Sequence, residues 1–158
     1  MSEDEVALPP SKVLVVDDNA QNLELLEAYM EEIEGVTTIG AQDGAEALEK
    51  VATEAPDLIL LDIMMPRMSG YEVCKRLKAD PATCDIPIIM VTALHEMGDV
   101  ERAVDVGTND FVTKPVNRVD LVARVRGLLR LRHLGGAGGS DVDDPADPDA
   151  GRGRPPSP

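Results

Sequence analysis

Four short apolar runs in this chain of 158 residues end on side chains that could do chemistry. One ends on Asp17 and Asp18, the next on Asp62, a third on Thr92 and the last on Lys114. If the runs are parallel strands of one sheet, these ends share an edge, where open α/β sheets place their ligands. Three carboxylates would then share a pocket with one ammonium and one hydroxyl. Two like charges about 4 Å apart repel by ~4 kcal/mol at an effective dielectric of about 20. Either one carboxylate keeps its proton or a hard divalent cation binds through oxygen. Lys114 offsets one charge at most. Two carboxylates and several waters suit Mg2+ better than Zn2+, which prefers the Cys and His missing here. One acid at a strand end can simply cap the next helix; all five residues together ask for a shared purpose.

The elements that must position them follow from periodicity. β1 is expected over residues 12–16, and Asn19 is placed to cap α1, on which Leu23, Leu26, Met30 and Ile33 share a face closed by Gly35. β2 takes 36–41. Asp43-Gly44 turns the chain into α2, whose apolar face is Leu48, Val51, Ala52 and Ala55, with Pro56 as the stop. β3 is the run 58–61 leading to Asp62, and Pro66 and Gly70 forbid its continuation. α3 runs from 69 or 70 to 78, burying Val73, Cys74 and Leu77, and β4 over 86–91. α4 is expected over 97–106 and β5 over 110–113. α5 covers 117–132, with Leu121, Val125, Leu128 and Leu129 inward. Alternating strands and helices of these lengths give an α/β fold with a parallel sheet covered on both faces.

The folded domain is expected over residues 11–134, between a disordered lead at 1–10 and a disordered acidic tail at 135–158. That tail is Gly, Asp, Pro, Ala, Ser and Arg, too poor in apolar surface to fold. The net charge of -15 argues against direct nucleic-acid binding and serves solubility. One Phe, two Tyr and no Trp leave no base-stacking platform and make the core aliphatic. The acidic N-terminus has no apolar signal segment and no run is long enough to enter a membrane, so a cytoplasmic location is expected, with Cys74 and Cys84 as reduced thiols.

Over residues 11 to about 134 the chain resembles the receiver domain of two-component response regulators. The resemblance rests on Val-Val-Asp17-Asp18, Leu-Leu-Asp62-Ile-Met-Met-Pro66-Arg-Met-Ser-Gly70, Met-Val-Thr92-Ala93 and Asp-Phe111-Val-Thr-Lys114-Pro115, in that order and spacing. It implies a flavodoxin-like (βα)5 sheet with strand order 2-1-3-4-5. It implies that Asp62 accepts a phosphoryl group from a phosphohistidine on a sensor histidine kinase or histidine phosphotransfer protein. Asp18, Asp62 and the backbone carbonyl of Met64 would bind Mg2+, with Asp17 acting through water. Lys114 would offset charge on the phosphoryl oxygens, Thr92 would hydrogen-bond them, and the small Ala93 would leave them room. The Lys114-Pro115 bond is expected to be cis. Thr92 and Phe111 would form the switch that reshapes the α4-β5-α5 surface, although many relatives carry Tyr where Phe111 stands.

Two expectations concern this chain in particular. The residues two beyond the acceptor and two beyond the threonine, Met64 and Leu94, are apolar and cannot orient an attacking water, so a long-lived phosphoform is predicted. The acids of α4 (Glu96, Asp99, Glu101, Asp105) and the Arg118, Arg124, Arg126, Arg130 and Arg132 of α5 suit a homodimer through α4-β5-α5. The chain is expected to be a phospho-acceptor and not an enzyme. It reads either as a single-domain regulator or as the receiver that precedes a diguanylate cyclase or kinase module. A Mg2+-dependent phosphatase of the same fold and a phosphorylation-independent interaction module are the other two readings.

Overall fold

The computed structural model describes residues 8–93 and 107–138. β1 (Ser11–Val16), β2 (Val36–Ala41), β3 (Leu58–Asp62), β4 (Ile88–Thr92) and β5 (Asp110–Thr113) form one sheet in the order β2-β1-β3-β4-β5. Every neighbouring pair is parallel, with Val16 beside both Ala41 and Leu61, Asp62 beside Val91, and Thr92 beside Thr113. This is the order the resemblance implies. α4, expected over 97–106, lies outside the described residues.

Alternation along the strands explains the layers, since successive side chains point to opposite faces. Leu14, Val16, Ile59, Leu61, Ile88 and Met90 face α2 (Gly44–Glu54) and α3 (Gly70–Ala79). Val13, Val15, Leu58, Leu60, Ile89 and Val91 face α1 (Ala20–Glu31) and α5 (Arg118–Gly138). β3 and β4 are buried at every residue, as the central strands of a sheet covered twice must be.

Most helix faces are as expected: Leu23, Leu26, Met30 and Ile33 on or just after α1, Val73, Cys74 and Leu77 on α3, and Leu121, Val125 and Leu129 on α5 are buried, with Leu128 partly so. Asn19 caps α1, its side chain accepting from the N–H groups of Gln21 and Asn22 at 3.0 Å. Three details differ. On α2 the buried residues are Gly44, Ala47 and Val51, with Leu48 partly buried, while Ala52 is exposed and Ala55 is the left-handed cap beyond the helix (φ 49°). α1 ends at Glu31 with Glu32 as its C-cap, and Gly35 (φ 90°) instead turns the chain so that its carbonyl accepts from Ser11 at the start of β1. β4 starts at Ile88, since Pro87 offers no N–H and the Ile88 N–H goes to Asn109 Oδ1 at 2.8 Å.

α5 continues to Gly138, past the end expected near 132. Contacts across the fold hold it there. Arg132 reaches Asp57 Oδ1 at 3.5 Å and the Asp85 carbonyl at 3.2 Å, and the His133 ring meets Ser11 Oγ at 2.8 Å. Asp57 also accepts from the Lys12 N–H at 2.8 Å. It therefore ties together the sheet edge opposite to the candidate site. Cys74 and Cys84 form no disulfide.

Candidate functional site

At the carboxyl ends of β1 and β3 the sheet brings three acids together. Asp17, Asp18 and Asp62 each present a carboxylate oxygen within 4.8 Å of the others. Asp17 and Asp62 are buried, at 1% and 3% exposure, while Asp18 faces solvent. The turn after β1 holds Asp17 by a hydrogen bond from the Asn19 N–H to Oδ1 at 2.9 Å. Its other oxygen meets Lys114 Nζ at 3.1 Å, and the same ammonium stands 3.6 Å from Asp62 Oδ1. Lys114 is itself placed by the sheet, its N–H donating to the Thr92 carbonyl at 2.7 Å. The Lys114-Pro115 bond is cis, as expected.

Burial dominates the electrostatics of Asp62. It pushes the carboxyl up to about 6, helped by Asp17 and, less, Asp18. Lys114 and the Met64 N–H, which donates to the carboxylate, pull the other way. Asp62 Oδ1 is buried with no hydrogen-bond partner among the described residues. The Lys114 ammonium at 3.6 Å is too far to hydrogen-bond it, and a buried oxygen in that condition costs free energy until a donor or a second cation meets it closely.

Thr92 ends β4, fully buried, one residue beyond the Val91 that pairs with Asp62. Phe111 on β5 is partly buried against the α2–α3 side of the core. Met64 sits just past the acceptor strand with 61% of its surface exposed. Leu94 lies outside the described residues. Thus Asp17, Asp18, Asp62 and Lys114 meet directly, and Thr92 flanks them.

The loop after β3 leans on a residue whose type alone gives no chemical signal. A Cβ on Gly70 would stand 2.3 Å from the Asp62 carbonyl oxygen and 2.8 Å from Ile63 Cα. The Gly70 N–H donates to the Ile63 carbonyl at 2.9 Å, folding the loop back on the acceptor strand. Only glycine permits that approach.

The sequence model of the response regulator receiver domain matches residues 13–126. The chain belongs to this family. Among its relatives, response regulator PleD of Caulobacter vibrioides is 47% identical over 123 residues, 77% of this chain and 27% of that protein. The alkaline phosphatase synthesis transcriptional regulatory protein PhoP of Bacillus subtilis is 44% identical over 123 residues, 78% of this chain and 50% of that one. The signal receiver domain of a signal transduction histidine kinase from Syntrophus aciditrophicus superposes with a TM-score of 0.71 at 38% identity, covering 76% of this chain and 90% of that one. The chain thus spans between about a quarter and a half of the length of those two curated relatives. As a receiver it is a signalling domain of two-component systems. Its acid cluster could hold a metal ion. Among the described residues no helix is long and apolar enough to cross a membrane.

Proposed function

We propose that this receiver takes a phosphoryl group onto Asp62 from a phosphohistidine of a histidine kinase or histidine phosphotransfer protein. The observation that carries it is the buried Asp62 carboxylate, whose Oδ1 has no hydrogen bond and only an ammonium 3.6 Å away, inside a cluster of three acids. A carboxylate so placed is shielded from bulk water at the carboxyl edge of the sheet, next to the exposed Asp18. Its oxygen attacks phosphorus, a P–O bond forms as the P–N bond breaks, and the electron pair leaves with the imidazole nitrogen.

The cluster fits Mg2+, since its donors are hard oxygens carrying two negative charges beyond what Lys114 offsets. Asp18, Asp62 and the Met64 carbonyl would hold it, with Asp17 acting through water. When bound, the ion supplies positive charge to the phosphoryl oxygens. Lys114 supplies the same from the protein, moving from Asp17 toward the new phosphate. Asp17, in its hydrogen bond to the Asn19 N–H, keeps that side of the pocket fixed. Thr92 donates its hydroxyl to a phosphoryl oxygen, and Phe111 turns inward as Thr92 moves, reshaping α4-β5-α5.

That surface is the output in this reading, for a partner protein or a second copy in the cytoplasm, with no direct nucleic-acid contact. The basic face of α5 is narrower than its composition suggests. Arg118 pairs with Glu32, Arg124 with Asp110 and Asp120, and Arg132 with Asp57. Arg126 and Arg130, both exposed, are the cations a homodimer would use. Light scattering with and without beryllofluoride tests it; a monomer in both excludes the dimer.

Phosphoramidate, a small donor with the P–N bond of phosphohistidine, tests the transfer. Mg2+-dependent formation of a hydroxylamine-labile acyl phosphate is expected. A chain left unmodified at saturating donor and Mg2+ contradicts the proposal.

A further inference from the structure

The end of β2 gives no side chain to the acid cluster, only the Ala41 carbonyl that accepts from the Asp17 N–H at 3.1 Å, yet the turn that follows it is built against the acceptor loop. In that loop the Met65 N–H donates to the Ile63 carbonyl at 3.0 Å and the Met68 N–H to the Pro66 carbonyl at 2.7 Å. The second bond spans two residues around Arg67, whose φ is 69°. This is the positive-φ γ-turn, a rare and strained form for a residue with a Cβ. Arginine gains nothing from that conformation by itself, so neighbours must hold it.

The neighbours are the first residues of α2. Asp43 Oδ1 caps the helix by accepting from the Glu46 N–H at 2.7 Å, while its Oδ2 faces Arg67 Nη2 at 3.6 Å. Gly44 is buried beneath Met68: a Cβ there would stand 2.9 Å from both Met68 Cβ and Sδ. One carboxylate thus fastens α2 with one oxygen and the acceptor loop with the other, and a missing Cβ makes the seat. Between this seat and Asp62 lies Met64, whose N–H donates to the Asp62 carboxylate.

We propose that Asp43 and Gly44 are positioning residues for the phosphoryl site, seating Arg67 and Met68 so that the loop holds Met64 against Asp62. The proposal rests on the reading that Asp62 and the Met64 carbonyl bind a divalent cation. Groups outside the ligand shell tune metal affinity by roughly 10–100-fold when they orient the ligands. An exposed ion pair is worth less, so the two residues contribute unequally.

Two variants of the full chain separate positioning from folding. Asp43→Asn keeps the cap, because Asn serves as well as Asp there, but removes the charge that faces Arg67. Gly44→Ala drives a methyl into Met68. Mn2+ alone, followed by electron paramagnetic resonance, reports cation affinity, thermal melting reports stability, and the Met64 amide resonance reports the loop. Asp43→Asn should weaken Mn2+ binding by about two- to five-fold, the range of an exposed ion pair, with its melting temperature unchanged. Gly44→Ala should weaken Mn2+ binding by roughly ten-fold or more and displace the Met64 amide signal. In phosphorylation, both should raise the Mg2+ concentration needed for half-maximal rate and leave the rate at saturating Mg2+ nearly intact. Wild-type Mn2+ affinity in Asp43→Asn, or in a folded Gly44→Ala, overturns the positioning role while the site reading stands. A wild-type chain that binds no Mn2+ overturns the site reading itself, and the positioning role with it.

Discussion

Lys114 Nζ lies 3.1 Å from Asp17 Oδ2, two groups that stand 97 residues apart in the chain and meet only because β1 and β5 end on the same sheet edge. The pair is close to neutral, and the nearby Asp18 and Asp62 carry the excess charge. In the proposed function the ammonium and a divalent cation would therefore compete for the same carboxylates while acting together on a phosphoryl group.

This competition gives Lys114→Ala two effects of opposite sign. Removing the ammonium should tighten Mn2+ binding several-fold, because the uncompensated negative charge grows. Asp62 phosphorylation should slow by roughly a hundred-fold, the usual loss for one electrostatic donor to a developing oxyanion. Titration by paramagnetic resonance and a phosphorylation time course check the two halves. A loss of both together would mean that Lys114 only supports the fold.

Asp62 gives a pH dependence whose sign follows from its burial. Its carboxyl is pushed from 3.8 up to about 6, so the fold prefers it protonated. That contribution to stability is complete below pH 3.8 and is lost as the pH rises through about 6. At ~1.4 kcal/mol per pH unit, the ionised group costs up to roughly 3 kcal/mol. In EDTA, Asp62→Asn should therefore melt above wild type at pH 7, and the two curves should converge below pH 4. Equal melting temperatures at pH 7 would contradict the placement of Asp62. With Mg2+ added, wild type should recover stability as the ion saturates, by ~2.7 kcal/mol at about 100 times its dissociation constant, and Asp62→Asn should recover less.

Two glycine substitutions should move stability in opposite directions. Gly70→Ala forces a methyl against the backbone of Asp62 and Ile63, with the oxygen only 2.3 Å away, and should cost on the order of 3 kcal/mol. Gly127→Ala, inside α5, meets nothing within 4 Å and should stabilise by ~0.5–1 kcal/mol. Urea titration of both variants checks the contrast. A tolerated Gly70→Ala would mean that the loop does not fold back as described.

Much of this site was legible in the sequence because buried parallel strands read as bare apolar runs. Where such a run meets Asp17, Asp62, Thr92 or Lys114, the polar residue marks the strand end and so the edge. Burial of Val73, Cys74 and Leu77 on α3 followed from helical spacing in the same way. The pairing of Asp43 with Arg67 and the seat of Met68 on Gly44 were not legible, since they join segments whose approach depends on how α2 packs. Arginine is an ordinary residue until its φ of 69° is seen. The last turns of α5 depend on Arg132 and His133 reaching the far edge of β3 and β1, contacts that local composition does not encode.

We propose that the lifetime of the phosphoform depends on Met64 and Leu94, the residues two beyond Asp62 and Thr92 in the sequence. Met64 is 61% exposed beside Asp62 and offers solvent an apolar side chain. The double variant Met64→Asn with Leu94→Glu, supplying groups able to hold a water, should shorten the phosphate half-life by about ten-fold or more, within the usual reach of a positioned polar group. An unchanged half-life, followed by loss of label after removal of donor, would rule out that role.

Everything proposed for this site depends on Asp62 being the acceptor. Acetyl phosphate and Mg2+, followed by intact-mass spectrometry and peptide mapping on wild type and Asp62→Asn, test it most directly. Wild type should gain one phosphoryl group on the peptide containing Asp62, and only with Mg2+, while Asp62→Asn should gain none. A phosphoryl group that persists in Asp62→Asn, or its absence from wild type, would contradict the account.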